Sequence, residues 1–218
     1  MNTQNDNSQK PLEQLSNICK SCDWQWILER VKLVMLNPSG AWATIKGDAH
    51  SIKDIYTKYV VFLAAVPAVA GFIGNTISAP RLFFSWLVLA VVTYLVALVR
   101  VYLAAMVLEF LAPKFEGQIT RTDGVKLFAY SYTPAYVGGI LSLIPSVTIA
   151  MLQLLFLLYG LYCLWLGIPA LSTVPDNKRF VYYIVSVIGI LIVGLVLGVI
   201  VAALGVGAMG AGAMRMGF

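Results

Sequence analysis

From residue 58 onward, long uncharged runs alternate with short charged intervals, and this spacing predicts a series of membrane-length helices. Between Lys58 and Arg81 lie 22 uncharged residues, enough for one crossing of an apolar core that needs about 20. The first span is expected at 59–77. A second apolar run starts at Leu82 and continues past Arg100, giving a long span at 82–110. Between Lys126 and Asp176 stand 49 uncharged residues, about 73 Å as one helix, so this segment must fold back once. Pro145-Ser146 is the expected turn, because proline cannot continue the preceding hydrogen-bond ladder; it separates spans at 125–144 and 147–169. The run from Phe180 to Met214 supplies a span at 180–204 and a Gly/Ala-rich external tail at 207–218. The fold expected is all-α: a polytopic bundle of five transmembrane helices filling 58–206.

Ahead of the bundle, 1–57 reads as a cytoplasmic segment. Residues 1–18 lack apolar periodicity and are expected to be flexible. Trp24, Ile27, Leu28, Val31 and Met35 then fall at helical spacing, with Gln25, Glu29 and Lys32 on another face, predicting an amphipathic helix at 24–36. Its apolar face suits the headgroup plane, the underside of the bundle or a docking partner. Asn37-Pro38 ends it, and Pro38 suits the first turn of a following helix through Trp42 and Ile45.

Composition agrees with this pattern: 60% of the 218 residues are hydrophobic and 11% charged, and the mean hydropathy of +0.83 lies outside the range of ordinary soluble domains. No basic stub, apolar core and cleavage site opens the chain, so the first span is expected to act as its own insertion signal. The net charge of +5 does not indicate nucleic acid, because the basic residues are scattered singly. Sorted by the five-span arrangement, 12 Lys and Arg fall on one side and 2 on the other, which predicts a cytoplasmic N-terminus and an external C-terminus.

Chemistry-bearing residues are sparse. Cys19 and Cys22 have C-x-x-C spacing, but a tetrahedral site needs a second pair, so the readings are two surface thiols or metal binding by dimerisation. Cys163 reads as a small packing residue. Arg100 is the charge inside a membrane run; about 28 Å from Arg81 along a helix, it is placed to snorkel to phosphate, with a substrate ligand as the alternative. Glu109 and Glu116 fall at or below the inner surface, where they could pair with Arg100 or Lys114, or receive a cation or partner. Gly205 to Gly210 spells G-x-G-x-x-G, but it follows a membrane helix rather than a strand and is discounted as a dinucleotide motif. The sole histidine, His50, lies in a loop, and neither a catalytic constellation nor a cofactor site is evident.

The stretch YSYTPAYVGGILSLIP, residues 130–145, is unlike a plain membrane span. Pro134 removes one ladder bond and predicts a bend. Ser131, Gly138 or Gly139, and Ser142 make a small-residue face for close helix approach, matched in the last span by Gly194 and Gly198. A broken helix at a substrate site is the sharper alternative.

The order of several motifs resembles the Yip family of Ypt/Rab-interacting membrane proteins, in its small bacterial inner-membrane branch. They are Asn37-Pro38 with Trp42 and Ile45, SIKDIYTKYVVFLAAVPAVAGFIG entering the first span, YSYTPAYVGGILSLIP in the third, and LYGLYCLWLGIPAL in the fourth. The resemblance implies five membrane helices, a cytoplasmic N-terminus and a short external, periplasmic C-terminus. Eukaryotic members act as non-enzymatic adaptors that oligomerise and bind prenylated small GTPases. Their Asp-Leu-Tyr-Gly-Pro signature is represented by Asp54-Ile55-Tyr56-Thr57, without the Gly-Pro. The function expected is a membrane adaptor or organiser, self-associating and meeting lipid or a protein partner, with Asp54, Tyr56, Arg100, Glu109 and Glu116 as candidate contacts. The alternative is a small transporter or channel for an ion or metabolite.

Overall fold

The computed structural model describes residues Trp24–Arg215, with side chains as far as Gly205. Cys19 and Cys22 lie outside the described residues. Every regular element among those described is helical. Helix α1 (Trp24–Leu36) gives way to α2 (Pro38–Gly47) at Asn37, whose side chain accepts the Gly40 N–H at 3.0 Å while Pro38 occupies a first-turn position where its missing N–H costs nothing. A capping box of Ser51 and Asp54 opens α3 (Ile52–Ser78), which contains a π turn at Tyr56–Val60 and an internal Pro67. Helix α4 (Pro80–Phe115) returns; at about 54 Å it outruns an apolar core of about 30 Å.

Helix α1 matches the expected bounds, but its buried face is rotated. Ile27, Arg30 and Val34 point inward, whereas Trp24 and Leu28 remain 59% and 54% exposed. The difference arises because Arg30 turns inward to meet Asp48, so a charged residue belongs to the buried stripe.

Four described helices are long and apolar enough to cross a membrane: α3, α4, Val147–Leu171 and Asp176–Gly205. The count of five continuous spans is therefore corrected. The segment expected to form a helix at 125–144 is broken into α5 (Arg121–Ser131), α6 (Thr133–Gly138) and a 3₁₀ turn at Gly139–Leu143. Pro134 has no N–H for the Tyr130 carbonyl, and the Tyr132 N–H reaches back to the Phe128 and Tyr130 carbonyls instead, closing α5. This segment is core: every residue from Gly124 to Ser131 is buried. The remaining helices are α7 (Val147–Leu171), whose N-cap is Ser146, and α8 (Asp176–Arg215), which carries helix through the stretch read as a tail.

Contacts trace the broken segment through the bundle. Gly124 lies against Ala105 of α4, Ser131 against Gly160 of α7, Gly139 against Pro67 of α3, and the Ser142 and Leu143 carbonyls against Gly74. It thus runs beside α3 in the same direction and antiparallel to α4 and α7. The expected pairing of its small-residue face with Gly194 and Gly198 is corrected. That face meets α3 and α7, and α8 packs chiefly on α4. The α8 glycines make room for large α4 side chains: Gly189 faces Val107 and Gly194 faces Arg100, while Gly198 has nothing within 4 Å. One continuous hydrophobic core joins Trp42 and Ile45 of α2 to Tyr59, Leu108, Leu127, Ile168 and Tyr182, so α1 and α2 are part of the bundle's own packing.

Candidate functional site

Among the described residues, charged side chains that bond across elements gather in three places. The first is the junction of α1, α2 and α5. Arg30 and Lys126, 8% and 6% exposed, converge on Asp48: an Arg30 nitrogen lies 2.6 Å from Asp48 Oδ2, and Lys126 Nζ donates to the Asp48 carbonyl at 2.7 Å. The Arg30 contact lacks hydrogen-bond alignment and is mainly coulombic. Lys126 also stands 3.7 Å from Asp123, and Arg30 lies 5.4 Å over the Trp26 ring. The Trp42 indole N–H donates to the Cys163 carbonyl at 3.1 Å, and Tyr159 O–H donates to Met35 at 2.9 Å. The charge pattern alone counts Arg30 and Lys126 among the 12 basic residues of the cytoplasmic side. Their common acceptor, Asp48, sits 18 and 78 residues away from them, and nothing local in the sequence marks the association.

The second place is the break between α5 and α6. Arg100 is half-buried and turned into the bundle, in contrast to the expected snorkelling anchor. Its Nη1 donates to Tyr132 O–H at 2.8 Å, and its guanidinium carbon lies 4.7 Å over the Tyr132 ring. Gly194 makes this possible, since a Cβ there would stand 3.0 Å from Arg100 Nη2. A small cavity of about 40 Å³ beside Arg100 is bounded by Ser131, Gly160 and Ile190. Arg100 Nε and Ser131 Oγ are buried there without hydrogen-bond partners. Pro134 is itself buried and starts α6, so the bend predicted for it is a full interruption.

The third is the α4–α5 and α4–α8 turn region. Glu109 pairs with Arg121, whose Nη1 also donates to Tyr102 O–H at 2.9 Å. The hydrogen bond from Arg121 to Glu109 raises the guanidinium's already high pKa. Glu116 takes the left-handed conformation, φ 60°, and its carboxylate lies 2.5 Å from Lys178. The expected partners of these carboxylates, Arg100 and Lys114, are displaced by Arg121 and Lys178. Asp54 accepts from the Ser51 N–H and O–H, and Tyr56 donates to the Leu98 carbonyl at 2.9 Å. At the packing positions, a Cβ on Gly138 would stand 2.6 Å from the Phe156 ring and one on Gly139 would stand 2.5 Å from Pro67. Pro145 is exposed and precedes the α7 cap, as the turn reading required. Among the described residues no group of three or more His, Cys, Asp or Glu gathers as a metal site.

The Yip1 domain family model matches residues 32–211. The chain belongs to the Yip1 domain family. The inner membrane protein YohC of Escherichia coli strain K12 is 27% identical over 152 residues, covering 65% of this chain and 78% of YohC. YohC of E. coli O6:H1 strain CFT073 matches to the same extent. No solved structure matches. The match takes in the end of α1, all of α2 through α7, including the broken central segment, and α8 as far as residue 211. In this Yip1 domain protein the Asp54-Ile55-Tyr56-Thr57 segment does structural work: Asp54 caps α3 and Tyr56 ties α3 to α4.

Proposed function

We propose that this Yip1 domain protein is a non-enzymatic organiser of the bacterial inner membrane, with its N-terminus cytoplasmic and its C-terminus periplasmic. The reading rests on one observation above all. Asp54, Tyr56, Arg100, Glu109 and Glu116 are each engaged by a partner within the chain. One surface left for others among the described residues is the outer face of α1, where Trp24, Leu28 and Leu36 are exposed beside Glu29 and Lys32. Such a face suits a second protein or the headgroup layer. The positive-inside bias of 12 to 2 supports the orientation, and the E. coli inner membrane relatives support the compartment. Photo-crosslinkers at Leu28 and Leu36 should yield a reproducible stoichiometric protein product. Recovery of lipid alone would remove the adaptor reading.

Transport is the second reading, favoured by a half-buried Arg100 beside a discontinuous helix, the kind of place where solutes meet transporters. Arg100→Ala and Glu109→Ala proteoliposomes separate the two. Under the organiser reading, flux through the protein is absent before and after substitution, and assembly changes.

A further inference from the structure

At the end of the bundle away from α1 and α2, a half-open crevice of about 310 Å³ lies between α3, α4, α7 and the 142–146 turn. It reaches far down the helices: Thr93, on its wall, is 13 residues along α4 from Pro80, about 20 Å. The surface around it is apolar, with Phe84 and Val147 exposed as lipid-facing residues are. Yet the lining includes Asn75, Thr93, Ser142, Ser146 and Gln153, and no Asp, Glu, Lys or Arg. Hydrocarbon cannot satisfy such groups, so polar matter must occupy the crevice.

The internal bonds indicate which matter. Asn75 donates through Nδ2 to the Gly71 carbonyl at 2.8 Å, and Gln153 donates through Nε2 to Ser142 Oγ at 2.7 Å. Gln153 Nε2 also donates to the Gly138 carbonyl at 3.4 Å, so its amide donors are used, whereas Asn75 keeps one N–H; both amide oxygens remain as acceptors. Ser142 and Ser146 each accept a bond, from Gln153 and from the Ile149 N–H, and keep their own protons to donate. Trp86, held by an indole N–H bond to the Ala79 carbonyl at 3.1 Å, supplies an apolar wall. Two amide acceptors, two hydroxyl donors, the remaining Asn75 N–H, an aromatic wall and no charge match a group that both donates and accepts without ionising. A phosphate would meet no cation there. We propose that this crevice binds an uncharged polyhydroxyl group, either the sugar headgroup of a membrane lipid or a free sugar-like polyol. The inference stands independently of the organiser reading.

The test uses the full chain in phosphatidylcholine vesicles containing glucosyl diacylglycerol, with native mass spectrometry after extraction, and methyl glucoside titrated separately by thermal shift. A glucosyl lipid retained one per chain, and retained about tenfold less by Gln153→Leu, identifies a lipid headgroup. A stabilising shift with methyl glucoside, lost in the variant, identifies a soluble polyol and supports the proposal equally. Should Gln153→Leu fail to fold, Ser142→Ala removes a donor with little change of volume and should weaken retention about threefold. Absence of both signals in the native chain, or variants that fold and bind as it does, overturns the proposal. A negative result leaves the crosslinking test on α1 unaffected, and the converse holds.

Discussion

Gly160 and Gly198 look alike as small residues of membrane helices, but their surroundings separate them. A Cβ on Gly160 would stand 2.8 Å from the Ser131 carbonyl, whereas one on Gly198 would meet nothing within 4 Å. Gly160→Ala should therefore lower thermal stability in detergent by about 1–3 kcal/mol, because backbone at the broken segment must give way. Gly198→Ala should stay within about 0.5 kcal/mol of the parent. Equal losses from both would show that the glycines matter through helix propensity and not through contact. Arg30 gives a second residue-scale prediction. Arg30→Ala leaves Asp48 half-enclosed with Lys126 bonding only its carbonyl, and should cost about 3 kcal/mol in thermal unfolding. Arg30→Lys should recover part of this, since the contact is coulombic rather than an aligned fork.

At the scale of elements, α1 and α2 are fastened by few bonds. Trp42 to Cys163 and Tyr159 to Met35 tie them to α7, and Lys126 to Asp48 ties them to α5. Trp42→Phe with Tyr159→Phe should leave the spans folded, remove about 2 kcal/mol of fastening and raise hydrogen exchange across residues 24–47 selectively. Uniform loss of protection along the chain would refute a separable cap. The elements that were legible in the sequence are those set by local chemistry. Asn37-Pro38 marked the α1–α2 junction, Pro145-Ser146 the turn into α7, and uncharged run length gave α3, α4, α7 and α8 to within a few residues at most ends. The central segment was read as a span because its residues are uncharged. What decides its form is the proline, the adjacent glycines and the backbones of α3 and α7, and only the first two are local. The inward turn of Arg30 was hidden for the same reason, its partner being contributed by the α2–α3 loop. Of the candidate site residues, all were placed on polar contacts, close packing or buried backbone except Gly198 and Pro145, and most of the partners that hold them come from other elements.

For the whole molecule, the broken segment gives the chain a fifth passage through the bundle even though only four of the described helices qualify as continuous spans. That passage carries the two ends of the described chain to opposite ends of the bundle, as the proposed orientation requires. Cysteine residues introduced at Glu29 and Ala203 in a chain freed of its native cysteines should label from opposite faces of sealed inner-membrane vesicles. Labelling of both from one face would refute the orientation. The native thiol offers something different. Cys163 is fully buried, and its carbonyl is the acceptor that anchors Trp42. With Cys19 and Cys22 replaced by serine, a thiol reagent is expected to reach the remaining sulfur when α2 lifts away from α7. The alkylation rate of the otherwise native chain is then a clock for cap release, and a partner that clamps the cap would slow it without touching a single membrane helix.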